Sequence, residues 1–219
     1  MPRDERPSDI WDTRYSAEDY LYGTEPNDFL REHASSLPEA SRTLCLAEGQ
    51  GRNAVFLAGL GHRVVAVDRS RVGLERARHL AHERGVVVET VTADLAELHI
   101  EPGGWDAVIS IWCHLPSDVR ADLHRRVVQG LKPGGVLVLE AYTPRQLEYG
   151  TGGPPDPDRL VRLEELRDEL AGLDLEVALE TEREIHEGTK HHGPSHVVQV
   201  VARSPTPVSG SSARREETP

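Results

Sequence analysis

Cysteine is scarce in this chain: Cys45 and Cys113 are the two in 219 residues. They lie far apart in separate apolar segments, which rules out a disulfide framework and a CxxC zinc or redox pattern. Lysine is equally scarce, with Lys132 and Lys190 alone. The arginines are scattered among acids, and 25 basic against 37 acidic residues leave a net charge of −12. A chain that grips nucleic acid draws most of its affinity from clustered cations, so nucleic acid is not an expected partner. No stretch approaches the roughly 20 apolar residues of a membrane span. The polar, proline-bearing start lacks the apolar core of a signal peptide. These absences point to a cytoplasmic protein without membrane attachment, a monomer or homodimer.

Hydrophobic residues make up 37% of the chain, enough for one α/β domain with an ordinary core. The ends, 1–9 and 204–219, have little to bury and are expected to be unstructured, leaving a domain over 10–203. Inside it, short β-branched runs alternate with helical stripes, the rhythm of βα units around a parallel sheet. Strands are expected at 43–47, 62–67, 86–91, 106–112 and 136–141, and helices at 53–60, 71–84 and 118–131. After Tyr142 the rhythm changes to a Gly/Pro loop at 150–157 and a helix at 160–173. Strands at 176–187 and 196–202 follow, joined by a loop holding Gly188 and Gly193-Pro194; this reads as a hairpin closing one sheet edge. Segment 17–37 is helical or mixed and placed to cover a ligand mouth.

The chemistry concentrates at the ends of the early strands. Strand one runs into Glu48-Gly49-Gln50-Gly51, a sharp turn whose glycines let a ligand approach the backbone. The next helix then offers unpaired amides and the positive end of its dipole. Asp68 ends strand two about 20 residues after the turn, where a carboxylate accepts both hydroxyls of a ribose. Together these features indicate an adenosine-containing cofactor. Ala54 satisfies the third small position of a dinucleotide fingerprint, so spacing alone leaves NAD open. Glu48 discriminates: a carboxylate there repels a pyrophosphate and suits the cationic amino group of S-adenosyl-L-methionine. Asp94 and Leu95, just past strand three, are placed for the adenine amine and ring.

The motifs Glu48-Gly-Gln-Gly-Arg-Asn53, Val67-Asp68-Arg69-Ser70, Ala93-Asp94-Leu95 and Leu131-Lys-Pro-Gly-Gly135 resemble those of class I S-adenosylmethionine-dependent methyltransferases. The leader Trp11-Asp12-Thr13-Arg14-Tyr15, with Tyr22-Gly-Thr-Glu-Pro-Asn27, is similar to the branch containing the tellurite-resistance and thiopurine methyltransferases. The resemblance implies a Rossmann-like, seven-stranded, mostly parallel sheet in the order 3-2-1-4-5-7-6. Strand seven is antiparallel and helices cover both faces. It also implies that Gly49, Gly51 and Asn53 underlie the methionine portion of the cofactor, with Glu48 near its amino group. Arg14 and Tyr15 lie over that end, Asp68 holds the ribose, and Arg69, Asp94, Leu95 and Ile111 line the rest.

A sulfonium methyl is already activated, so the protein mainly aligns the nucleophile and excludes water. Ligands bind at strand carboxyl ends where the sheet order reverses. Trp112, Cys113 and His114 after strand four are therefore expected to face the methyl group as the catalytic candidates, His114 as a base on the substrate side. The run Ser110-Ile-Trp-Cys-His-Leu-Pro116 departs from the Asp/Asn-Pro-Pro-aromatic pattern of base and amide methylation. A small-molecule acceptor is expected, including soft sulfur, selenium or tellurium nucleophiles. The rival readings are an NAD-dependent oxidoreductase and a non-catalytic adenosyl-ligand-binding protein. His186, His191, His192 and His196 match no zinc spacing and fall at a hairpin turn expected to be exposed, so no metal site is assigned.

Overall fold

The computed structural model describes residues 7–17, 19–189 and 191–207. Most of the two ends expected to be unstructured therefore lies outside the described residues. Helix α1, Pro7–Tyr15, begins three residues inside the first of them.

Seven strands form one sheet in the order β3-β2-β1-β4-β5-β7-β6. They are β1 (Arg42–Leu46), β2 (Arg63–Asp68), β3 (Val88–Thr92), β4 (Trp105–Ile111), β5 (Leu131–Tyr142), β6 (Asp174–Glu187) and β7 (His191–Arg203). The pairings β1–β2, β2–β3, β1–β4 and β4–β5 are parallel, while β7 runs antiparallel to β5 and β6. This is the Rossmann-like sheet that the motifs imply. Helices α2 (Asp28–His33), α3 (Arg52–Gly59), α4 (Arg71–Glu83), α5 (Ser117–Gly130) and α6 (Leu163–Glu169) pack around it.

The period of two along each central strand sends neighbouring side chains to opposite faces. On β1, Cys45 joins one core with Leu57 of α3, Leu74 and Leu80 of α4, and Ile109 of β4. Leu44 and Leu46 join a second core with Leu123 and Val127 of α5 and Leu166 of α6. Burial on both faces explains why the central strands read as continuous apolar runs.

Two departures from the expected elements occur after Tyr142. Helix α6 is shorter than 160–173 because Leu160 and Val161 stay outside it. The Val161 amide instead donates to the Tyr142 carbonyl at 3.1 Å, tying this stretch to the end of β5. Gly193 and Pro194 are not in the hairpin loop; they lie within β7, opposite Ile185 and Glu184. A proline lacks the amide a central strand needs. Here β5 has already ended, at Tyr142 opposite Val197, so no strand pairs with β7 beside Pro194; the Thr151 hydroxyl donates to the Pro194 carbonyl there at 2.7 Å.

The early end of β5 has a consequence for the site. The β6–β7 ladder continues from Val197 to the pair Glu187 and His191, six residues past the last β5 partner. At a rise of about 3.4 Å per residue, the hairpin overhangs the carboxyl edge of the sheet by about 20 Å.

Candidate active site

The turn after β1 sits where the chain leaves β1 on one side of the sheet and returns as β4 on the other. Gly49 and Gly51 both adopt positive φ, 58° and 89°. Their roles differ. A Cβ on Gly51 would lie 2.5 Å from Ala77 Cβ and 2.8 Å from Ala77 Cα. This glycine lets the turn press on α4. A Cβ on Gly49 would meet the Tyr15 hydroxyl at 2.6 Å, and one on Gly73 would meet the same ring at 2.9 Å. Tyr15 of α1 therefore lies in a slot between two glycines, over the turn. Arg14 is exposed beside it, its guanidinium 4.8 Å from the Trp11 ring centroid.

Two buried carboxylates fix the turn. Asp68 Oδ2 accepts the Gly49 amide at 2.8 Å and Oδ1 accepts the Ser70 amide at 2.8 Å. Burial pushes its carboxyl up, against the pull of those amides and Arg69. Glu48 Oε1 accepts the Ala54 amide at 2.8 Å, so the start of α3 is capped by the protein's own carboxylate. A dinucleotide pyrophosphate would have to occupy that helix terminus. Burial raises Glu48 to about 7, overcoming the Ala54 amide and the Arg52 charge. Asn53 Oδ1 is turned away from the turn and accepts the Asn27 amide at 2.9 Å.

At the tip of β2, Arg69 Nη2 pairs with Asp94 Oδ2 at 2.9 Å, and Asp94 Oδ1 caps the next turn through the Ala96 amide. Leu95 and Ile111 are buried in the cores on opposite faces of the sheet. The buried Gln50 Nε2 and Arg69 Nε have no hydrogen-bond partner among the described residues. An unpaired buried donor is costly. Orphan donors beside the turn and the β2 tip fit an adenosyl amino acid with its carboxylate, hydroxyls and ring nitrogens.

The segment after β4 is placed as expected but behaves differently. Trp112 adopts φ 55°. Its ring stacks on Tyr142 at 4.4 Å, and its indole N–H donates to Glu187 Oε2 at 2.6 Å. Cys113 is buried, and burial pushes its thiol up to about 12, so it carries no thiolate. His114 Nε2 accepts the Tyr142 amide at 3.2 Å. Burial, with His191 nearby, lowers His114 to about 3. Its basic lone pair is occupied and its ring stays neutral, so His114 does not act as the expected base. It is a wall residue stacked on Tyr142 at 5.4 Å.

Behind Trp112 lies a polar network whose residues the sequence reading does not single out. Glu187 accepts from Arg52 Nη2 at 2.6 Å and Asn27 Nδ2 at 2.8 Å as well as from Trp112. Asn27 Nδ2 also donates to the fully buried Glu140 at 2.5 Å, and Arg183 and Gln199 complete that carboxylate at 2.8 and 2.6 Å. Burial opposes the charge on Glu187, but His191 and Arg52 outweigh it and hold the carboxyl at about 2. A carboxylate inside the apolar run of β5 was the legible sign of Glu140. Nothing comparable marked Glu187.

Two segments meet beside the glycine turn. Leu21 donates its amide to Gln50 Oε1 at 2.8 Å and accepts the Thr189 amide at 3.1 Å. Leu21, in the 17–37 stretch, is thus held between the glycine turn and the hairpin tip. Of the four hairpin histidines, His186 and His192 are exposed, whereas His191 and His196 are buried, contrary to an exposed turn. Among the described residues no three of His, Cys, Asp or Glu converge as metal ligands, and no helix is long and apolar enough to cross a membrane.

Residues 43–135 match the family model of the methyltransferase domain. Over 81 residues the chain is 37% identical to carboxy-S-adenosyl-L-methionine synthase of Aeromonas hydrophila subsp. hydrophila, covering 36% of this chain and 32% of that protein. The match thus spans about a third of the curated relative. The solved structure described as "Conversion of a Disulfide Bond into a Thioacetal Group during Echinomycin Biosynthesis" superposes with a TM-score of 0.74. It is 21% identical and covers 93% of this chain and 94% of its own. TehB from Haemophilus influenzae superposes with a TM-score of 0.66 at 17% identity, covering 90% of this chain and 66% of its own. At these identities the two structures establish the fold.

Proposed function

We propose that this protein, whose class I methyltransferase fold carries a methyltransferase domain over residues 43–135, moves a methyl group from S-adenosyl-L-methionine to a small-molecule acceptor. The observation that carries the reading is the turn itself. Glu48 already fills the helix terminus that a dinucleotide pyrophosphate needs, while Asp68 stands at the next strand end with lone pairs to spare. Glu48 and Gln50 hold the amino-acid end, with Arg14 and Tyr15 over it, and Asp68, Arg69 and Asp94 hold the ribose and adenine. When bound, the cofactor supplies an electrophilic methyl carbon on a sulfonium.

The acceptor side favours a nucleophile that ionises readily. Cys113 and His114 provide neither a thiolate nor a free lone pair, and Glu140 and Glu187 are committed to several donors each. Trp112, Tyr142 and Tyr22 supply apolar walls. Such a site suits soft nucleophiles such as thiols, selenols and tellurium or selenium oxyanions. The fold neighbour associated with disulfide-to-thioacetal conversion, and the leader's resemblance to the tellurite-resistance and thiopurine branch, support that choice.

Transfer of a labelled methyl group to thiols, selenols, oxyanions, phenols and amines tests it. Label is expected on the soft acceptors. Success on amines with failure on every soft acceptor would contradict the reading.

Glu48 adds a pH dependence. Its folded value of about 7 lies above the ordinary 4.5, so the fold holds a proton that the unfolded chain releases. Its contribution to stability therefore falls as pH rises from about 4.5 to 7. A cationic amino group beside Glu48 requires the ionised form. S-adenosylhomocysteine is therefore expected to bind more weakly below pH 7, by up to about tenfold per unit, and to release a proton on binding. Calorimetry in buffers of different ionisation enthalpy reads this directly; a pH-independent affinity between 5 and 8 would remove Glu48 from the amino group.

A further inference from the structure

We propose that His191, oriented by Glu187, is the base that takes the proton from the methyl acceptor, and that the acceptor is a weakly acidic nucleophile such as a thiol, a selenol or a phenol. The proposal rests on the methyltransferase reading above.

The overhang of the β6–β7 hairpin brings His191 back over the carboxyl edge of the sheet, where it is 7% exposed. Its ring lies 4.7 Å from Tyr22, 5.2 Å from Trp112 and 5.4 Å from Tyr142, edge-on to the last two. Tyr22 in turn lies near both Tyr15, over the glycine turn, and Tyr142 at the end of β5. His191 therefore stands where the cofactor end of the site meets its acceptor end.

One polar group in this cluster is unsatisfied. His191 Nδ1 is buried with no hydrogen-bond partner among the described residues, whereas the Tyr142 hydroxyl has Ser195 beside it. Native interiors seldom leave such groups unpaired unless a ligand or a catalytic step uses them. His191 Nδ1 lies 3.6 Å from Glu187 Oε2, an ion-pair distance beyond hydrogen-bond length. Catalytic hydrogen bonds are often long before a ligand tightens them.

Glu187 itself cannot drift. Arg52, Asn27 and Trp112 fix both of its oxygens, which keeps one carboxylate edge beside the imidazole. A carboxylate in that position selects the tautomer with the proton on Nδ1, leaves Nε2 bare, and stabilises the imidazolium once it forms. The other groups around His191 are the Tyr22, Trp112 and Tyr142 rings and the neutral His114, with Arg52 reaching it only through Glu187.

In the step, the acceptor's proton passes to Nε2 of neutral His191. The acceptor's electron pair forms the new bond to the methyl carbon as the donor's carbon–sulfur bond breaks, its pair staying on sulfur. The imidazolium then returns the proton to solvent. A thiol near about 8.5 or a phenol near about 10 is acidic enough to give its proton to a nitrogen base as the methyl carbon approaches. An aliphatic alcohol is poorly matched to such a base.

The first test needs no acceptor. Imidazole nitrogen NMR on the full chain is expected to show His191 with a protonated Nδ1 and a bare Nε2 at alkaline pH, a preference lost in Glu187→Gln. The opposite tautomer in the wild type, or no change in Glu187→Gln, would overturn the dyad. The second uses His191→Asn and His191→Gln, each checked for unchanged S-adenosylhomocysteine binding. Turnover on a thiol at neutral pH is expected to fall about 10²-fold or more, with the gap closing as pH passes the thiol's pKa. An equal loss at every pH would overturn the base and mark a structural role. Wild-type protein that transfers methyl to no acceptor would overturn the base together with the methyltransferase reading. Wild-type transfer with an unaltered His191→Asn profile would overturn the base alone.

Discussion

Asp68→Asn is expected to weaken S-adenosylhomocysteine binding by about 10²-fold or more and to loosen the glycine turn at the same time. Both carboxylate oxygens already accept backbone amides, one from Gly49 and one from Ser70. An asparagine offers one oxygen and one NH₂, so whichever way it turns, a donor faces a donor. Leaving one buried amide unsatisfied costs about 1–3 kcal/mol. The ribose then loses its charged acceptor, worth about 1.5–3 kcal/mol per hydrogen bond, and each 1.4 kcal/mol is tenfold in affinity. Calorimetric titration well below the variant's melting temperature separates the two effects. Affinity within threefold of wild type would mean that Asp68 only builds the turn.

The second large effect concerns the overhanging hairpin. Glu187→Ala is expected to destabilise the protein by about 3–5 kcal/mol, because it leaves Arg52 buried without its partner. Both side chains are nearly inaccessible, 8% and 4% exposed, so solvent cannot compensate. In a chain of this size that is a fall of roughly 6–20 °C in melting temperature. The same substitution releases the Trp112 indole and one of the two acceptors of Asn27. Arg52→Met in the Glu187→Ala background is expected to recover part of the loss by removing the orphaned charge. A shift under 2 °C for Glu187→Ala would show that the pair is solvated in solution and that the tip opens freely.

The sheet was legible because its pattern is local. β-Branched runs such as Val64-Val65-Ala66-Val67 can be read without their neighbours, and each ends at a motif residue whose position follows from the strand. Glu48, Asp68 and Asp94 are strand-end residues of this kind. Their placement therefore needed only the strand boundaries, which the structure shifts by one or two residues.

The acceptor side was less legible because it depends on where one hairpin turns. Gly193-Pro194 has the composition of a turn, yet β5 has ended and no strand there needs the amide a proline lacks, so the turn falls at Gly188 and Thr189. That difference carries His191 from an exposed loop into the site and brings Glu187 against Arg52. His114 was misjudged for a related reason. A histidine after β4 is well placed for a base, but the Tyr142 amide occupies its Nε2, and no sequence spacing reports that contact. Gly51 is a further case: its motif position suggested room for a ligand, whereas its immediate neighbour is Ala77 of α4.

Thermal denaturation with saturating S-adenosylhomocysteine, run beside NAD, tests most directly whether the turn at Glu48-Gly49-Gln50-Gly51 is built for an adenosyl amino acid. A ligand at 100 times its Kd adds about 2.7 kcal/mol to stability, a rise of roughly 5–10 °C for a chain of this size. That rise is expected with S-adenosylhomocysteine and not with NAD. Stabilisation by NAD with none by S-adenosylhomocysteine or S-adenosylmethionine would contradict the account.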